Sequence, residues 1–585
     1  MKINYLHLSR HLLAAIAILN LVLNFSPTVL AHDGRQPTLR VGYLPGDIKL
    51  DGLLDEPEWA AADSIENLTM VEPDEGVPPT AATIVKVLAN SNEVVFGIDC
   101  KDPEPEGIVS FSKSRDAHFR QEDHILLVLD TFRDGRSGYV FAVNPGGARY
   151  DALVADRGER ENSNWDDAWE AATSRNDSGW CVEVRLPIRS INYKAGLRTW
   201  GFNIQRRVQR LQETSRWASP QQDIEITQTF RAGLLTNLPD FELGWGLSVR
   251  PSVVGGGGSY APDEPFQSER DVSLDVKQLW GPNLTASLTV NTDFAETEVD
   301  VRQTNLTRFP LFFPEKRTFF LEGADIFDFG IGLWRDVIPF FSRRIGLLEE
   351  QEVPLIIGGK INGRVGGSNI GALAVRTDDV SGLAPKTTLG VVRIQQNILD
   401  ESSVGMIATF GDPQGLEGSW LAGADFTYQT SSFQGDKNFL VGVWGLAVNR
   451  SDLAGDKTAV GFKVDYPNDL WDLALTYKRI GDDFDPSLGF VPRAGVQIIH
   501  VGMQYNPRPR WRWLRQMFHQ LRLRVVTDLD SQWETYRAFT APLNWLLESG
   551  DRFEFNIVPE GDKLLEPFEI ADGVIINVGT FPACL

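Results

Sequence analysis

The chain has 585 residues, a formal charge of −23, 42% hydrophobic residues, 53 glycines and three cysteines. That charge argues against nucleic acid or anionic lipid as the main partner. After the N-terminus no stretch approaches the ~18 consecutive apolar residues of a helical span, which leaves room for strands that show lipid an apolar residue at every second position.

Residues 1–31 read as a secretory signal. Lys2 and Arg10 supply positive charge, Leu12 to Leu23 an apolar run, and Val29-Leu-Ala31 a cleavage site. Asn20, Asn24 and Pro27 break the run before it reaches the ~20 residues of a spanning helix.

From about 38 to 238 short strand patterns follow one another, among them Thr83–Ala89, Val94–Ile98, His124–Leu129, Gly138–Val143, Trp180–Leu186 and Trp200–Gln205. Turn residues separate them, which predicts an all-β sandwich with its own core. Cys100 and Cys181 each lie in a strand-like run, and two readings stand: a disulfide in an oxidising periplasm, or two separate buried thiols. Trp59, Trp180 and Trp200 are expected in the core.

Leu50-Asp-Gly-Leu-Leu-Asp-Glu-Pro-Glu-Trp59, Gln121-Glu-Asp-His-Ile-Leu-Leu-Val-Leu-Asp130, Trp165-Asp-Asp-Ala-Trp169 and Gly179-Trp-Cys-Val-Glu-Val-Arg-Leu-Pro187 follow in order. Together they resemble family 9 carbohydrate-binding modules, as found in a bacterial family that places such a module in the periplasm ahead of an outer-membrane barrel of unknown function. The resemblance implies sugar binding. A sugar site needs an aromatic platform and flanking polar groups, for which the candidates are Trp165, Trp169, Phe119, Arg115, Asp116 and Asp123, with His118 beside them. Sugar-binding relatives clamp the ligand between two tryptophans; the matching places here hold Arg120 and Ile226. No cofactor is expected. His118 and His124 near Asp116 and Asp123 read as polar surface, not a metal site, and Asp51, Asp55 and Glu56 are weak candidates for structural calcium.

From 240 to 585 the segments alternate cleanly, as in Phe241–Val249, Leu284–Val290, Trp420–Tyr428, Phe439–Val448 and Gln497–Tyr505, with Trp and Tyr near their ends. This predicts an antiparallel transmembrane β-barrel of ~14–16 strands in a Gram-negative outer membrane. The stretch 291–330 alternates poorly. It and Gly481-Asp-Asp-Phe-Asp-Pro-Ser-Leu-Gly-Phe-Val-Pro-Arg493 resemble hallmarks of the barrel family. A plug folded into the lumen and an ordinary ordered loop are both open for it, with Glu315, Lys316, Arg317 and Glu322 as ion pairs in either case. The chain stops at Leu585 without an aromatic terminal strand, which fits a C-terminally truncated barrel.

The expected function is non-catalytic: a periplasmic sandwich that recognises a glycan, with the barrel in outer-membrane lipid as anchor or conduit for carbohydrate uptake and catabolism. The alternatives are a glycoside hydrolase-associated, xylanase-like protein, and a sandwich that only caps the barrel. An enzyme of that class needs two facing carboxylates, and no pair stands out; GxSxG, HExxH and the P-loop are absent from the sequence.

Overall fold

The computed structural model describes residues 36–585 except 67, 156–157, 159, 164, 259–266, 282, 292–304, 306, 349–350, 400, 436, 510, 572 and 585. The signal segment 1–31 and much of the first half of 291–330 therefore lie outside the described residues. Among the described residues the protein is all-β with two short α-helices, Pro57–Ala61 and Thr318–Leu321. Among the described residues no helix is long and apolar enough to cross a membrane.

Two sheets pack face to face between Thr38 and Thr236. One has nine strands centred on Thr199–Val208, His124–Asp130 and Gly138–Val143. The other has six, centred on Gly179–Pro187, Glu93–Lys101 and Thr83–Ala89. Alternate residues turn inward, so Phe202 of one sheet stacks on Phe96 of the other at 5.5 Å between ring centres. Leu127, Ile204, Val87, Val184, Trp180 and Trp200 share this core, each with at most 1% of its surface exposed. Cys100 and Cys181 are separate buried thiols, both pushed up to about 12 by burial. The register explains why no disulfide forms: Cys100 lies opposite Trp180, so Cys181, one residue on, projects from the other face.

The motifs behind the family 9 resemblance act as fasteners. Glu183, fully buried, accepts hydrogen bonds from the backbone N–H groups of Asp51 and Gly52 (3.0 and 2.9 Å) and from Trp59 Nε1 (3.3 Å). Gly52 has φ +80° and lies against the Thr173 backbone, where a Cβ would come within 2.6 Å of it. Glu122, likewise buried, collects the N–H groups of Phe111 and Ser112 and the Asn144 amide. Each carboxylate satisfies loop donors that would otherwise be buried unpaired.

From Leu247 to Cys584 a single antiparallel sheet of 18 strand segments runs in chain order. Two segments only continue their predecessors after a one-residue break, at Phe518 and Val558, which brings the count near the expected range. Among the described residues the sheet does not close into a barrel, as a truncated one would not. Among the described residues Leu247–Gly258 pairs only with Gln267–Trp280, and Gly579–Cys584 only with Pro559–Leu564, so both edges are open.

The outer face of this sheet is apolar, and the inner face is mixed, with a buried apolar cluster that includes Leu373, Leu421, Leu446 and Ile498 beside polar positions. Along Trp420–Gln429 the exposed positions are Trp420, Ala422, Ala424, Phe426 and Tyr428, whereas Leu421, Gly423, Asp425, Thr427 and Gln429 face the other way. Neighbouring strands repeat this, with Val404 (41%), Met406 (60%) and Val443 (46%) exposed. The opposite face holds Lys360, Arg393 and Lys478, each at most 2% exposed. A sheet facing water on its outer side would carry polar residues there.

The stretch from Glu315 to Arg344 does not stand off as a loop. It packs across the polar-bearing face of the sheet, crossing strand after strand. Phe319 lies against Gly358, Gly323 (φ +67°) against Asn362, Phe327 against Gly371 and Ile331 against Gly442. Lys360 Nζ donates to the carbonyls of Phe319 and Glu322. Arg317 pairs with Glu315 at 2.7 Å and donates to the carbonyls of Ile345 and Ser342, and Glu322 pairs with Lys277. These are the structural ion pairs expected from the sequence.

The sandwich meets the sheet at its short-turn end. Arg136 donates to Asn397 Oδ1 (3.0 Å) and the Ser402 carbonyl (2.8 Å), and Arg364 to Ser137 Oγ (2.6 Å). Asp223 pairs with Lys437 and accepts from the Asp469 N–H, while Arg515 reaches the Gln212 carbonyl.

Candidate functional site

Of the six sequence candidates, the fold turns three inward. Trp169 is 3% exposed, edge-on to Phe141 at 5.2 Å. Phe119 is 6% exposed among Ala142 and Ala148. Asp123 is 1% exposed and accepts the Val109 N–H at 2.9 Å, and burial pushes its carboxyl up. None of the three offers a ring face or a free carboxylate to a ligand.

Arg115 and Asp116 do lie at the surface. Arg115 joins Asp151 (2.8 Å), Asp166 and the Asp167 carbonyl (3.0 Å), and Asp116 sits beside it in a left-handed conformation, φ +60°. Burial pushes Asp151 up to about 6, with Arg115 pulling the other way. A raised carboxyl suggests a general acid, but the Asp151 side chain has no exposed surface, and an acid must come within hydrogen-bond reach of its substrate.

Trp165 does not join this group. It packs on Tyr139 (5.1 Å) and Phe141 (6.1 Å) and lines a gap of about 60 Å³ against the sheet, shared with Asp167, Lys277 and Glu322. That space suits a few waters, far below the ~300 Å³ of a small-ligand pocket.

The second place of the expected tryptophan clamp, Ile226, fills a small apolar cluster with Val128, Val140, Ala152 and Val154. At the calcium candidates, Asp51 pairs with Lys49 at 2.7 Å and accepts the Leu53 N–H. Among the described residues no three His, Cys, Asp or Glu side chains are grouped to hold a metal.

The larger spaces lie on the inner face of the sheet, and the stretch Ile331–Asp336 divides them. One cavity, about 510 Å³, opens where the sandwich residues Asp134 and Arg136 face Phe340 and the strand residues Gln395, Asn397 and Gln429. The other, about 660 Å³, runs along Thr476, His500, Arg522 and Arg524. Trp334 and Lys463 line both.

Trp334 is 55% exposed although it stands on the covered side of the sheet. Its backbone is left-handed, φ +49°, a conformation that costs a bulky residue about 1–2 kcal/mol. The turn around it is pinned. Lys478 Nζ donates to the Leu333 carbonyl (3.0 Å) and to Asp336 Oδ2 (2.5 Å), and Arg524 donates to Asp336 Oδ1 (2.8 Å). The Lys478 ammonium lies 4.5 Å from the Trp334 ring centre and the His500 ring meets it edge-on at 4.6 Å. The remaining ring surface faces open space beside hydroxyl, amide and guanidinium groups, which suits the apolar face and hydroxyl rim of a pyranose.

Sequence reading missed Trp334 because the platform was sought in the sandwich. The signal was Gly332-Leu-Trp-Arg335, a tryptophan in a stretch without strand alternation.

No curated protein matches the chain. Among solved structures, a family 9 carbohydrate-binding module from Caldicellulosiruptor kristjanssonii in complex with glucose is similar over 34% of this chain and 94% of that one, at 15% identity and a TM-score of 0.26. A candidate carbohydrate-binding protein from Bacteroides uniformis ATCC 8492 is similar over 34% of this chain and 99% of that one, at 12% identity and a TM-score of 0.29. Residues 248–354, which cover the first strands of the large sheet and much of the segment packed across it, match a domain of unknown function, DUF5916.

Proposed function

We propose that the protein is a non-catalytic carbohydrate-binding protein of the Gram-negative outer membrane, and that it holds a glycan at Trp334 inside the sheet. The observation that carries this reading is an exposed tryptophan on the polar-bearing face, between two cavities of sugar size. The exposed apolar outer face of the sheet supports a lipid-facing surface. Short turns such as Gly366-Gly367 at the sandwich end, against long connections such as 481–495 at the other, support a periplasmic sandwich.

A second reading, the sandwich as a structural cap, has its own support in the polar contacts that Arg136, Asp223 and the Gln212 carbonyl of the sandwich make with the sheet. The two readings are compatible if the glycan binds in the sheet and not in the sandwich.

The test is a titration of the full chain in detergent with xylan, cellulose, peptidoglycan and chitin fragments. Trp334→Ala should weaken the bound glycan about tenfold, the loss of one stacking platform, and Trp165→Ala by less than about twofold. Loss of binding in Trp165→Ala alone would move the site to the sandwich. No binding by the folded chain would leave only the cap.

A further inference from the structure

We propose that the glycan taken at Trp334 is anionic, a uronate-bearing oligosaccharide whose carboxylates lie along the basic wall of the 660 Å³ cavity. This rests on the reading of Trp334 as a sugar platform and adds the ligand's charge. The formal charge of the whole chain is −23, yet the lining here carries Lys463, Arg522, Arg524 and Arg537 against two carboxylates, Asp465 and Asp472.

The cations differ in how far they are already satisfied. Lys463 pairs with Asp465, and Arg524 with Asp336 at 2.8 Å. Arg537 has only a long, exposed contact to Glu560 at 3.4 Å. Arg522 is exposed and makes no ion pair among the described residues. Its register places it with Arg524 and Arg537: Leu523 lies opposite Ala538 and Arg524 opposite Arg537, so the three arginines occupy two adjacent strands on the cavity side.

Polar atoms in the same wall also lack partners. Thr476 Oγ1 and Arg524 Nε are buried without a hydrogen bond among the described residues. Arginine forks match carboxylates in two parallel hydrogen bonds, and a row of them along one wall favours anions over neutral solutes. A sugar acid meets both demands, with a ring for Trp334 and carboxylates for Arg522 and Arg537.

The experiment compares trigalacturonate with α-1,4-galactotriose, its neutral counterpart, on the full chain in detergent at low and at high salt. The acidic sugar should bind more tightly and weaken as salt rises, as screened charges require. Arg522→Ala should weaken it about fivefold to tenfold and the neutral sugar by no more than about twofold, the loss of one hydroxyl contact, while Arg522→Lys keeps part of the effect. Arg522 is exposed, so the fold should tolerate the change, and Arg537→Ala gives a second, independent reading.

Equal affinities for the two sugars, or an Arg522→Ala variant that binds both like the wild type, would overturn the anionic assignment while leaving Trp334 as a neutral-glycan site. Binding of neither would overturn both. Displacement of the trisaccharide by equimolar inorganic phosphate would reveal an adventitious anion site and overturn the carbohydrate assignment.

Discussion

Replacing Arg393 by methionine should destabilise the folded chain by about 3–5 kcal/mol, because it strands a buried carboxylate. Arg393 and Asp425 face each other across the large sheet as a two-bonded pair, at 2.5 and 3.0 Å, with side chains 1% and 2% exposed. Arg393 Nε also donates to the Asp328 carbonyl at 2.8 Å, and its guanidinium lies 5.1 Å from the Phe329 ring centre. It thus clamps the inner segment to the sheet. The packing leaves no slack, since a Cβ on Gly405 would come within 2.4 Å of Nη1. Without the cation, the Asp425 carboxylate is left buried and uncompensated.

The double variant Arg393→Met with Asp425→Leu should recover most of the loss, since matched apolar groups replace a buried pair at little net cost. Denaturant unfolding of lipid-reconstituted protein measures both. A loss below about 1 kcal/mol in the single variant would mean the pair is not buried as described.

The second large effect depends on the medium around the sheet. Met406 lies on the apolar face, opposite Ile394 on one neighbouring strand and Ala424 on the other. Met406→Arg should cost about 2–4 kcal/mol if lipid covers that face, the penalty of a cation near a bilayer midplane. In water the same exchange at an exposed position stays within about 0.5 kcal/mol. The two cases are far enough apart for one unfolding experiment to separate, with Gln429→Arg on the opposite face as the control for position.

Much of the sheet was legible because strand polarity is a local, two-residue signal. Trp420 to Gln429 reads correctly from sequence once the apolar set is assigned outward. The core roles of Trp180 and Trp200 were legible for the same reason, since each stands at the start of a strand, and that of Trp59 from the short helical turn it closes; all three are at most 1% exposed.

The candidate site was not legible. Whether Trp169 or Phe119 shows a face depends on what packs over it from distant strands, and spacing along the chain does not encode that. Trp334 is the converse case. Its exposure comes from Lys478 and Arg524, about 144 and 190 residues away, pinning the turn through Asp336. Sheet closure was also beyond the local pattern, because it depends on the first and last strands finding each other.

The most direct test is which medium meets the apolar face. Nitroxide labels at positions 406 and 443 on that face and at 429 on the other, in a chain whose native cysteines are replaced by alanine, can be read in reconstituted bilayers by relaxation with oxygen and with a water-soluble nickel chelate. Oxygen, which concentrates in lipid, should dominate at 406 and 443 and the chelate at 429. Strong relaxation of 406 and 443 by the chelate would put water on the apolar face and contradict a membrane-spanning sheet with its binding groove inside.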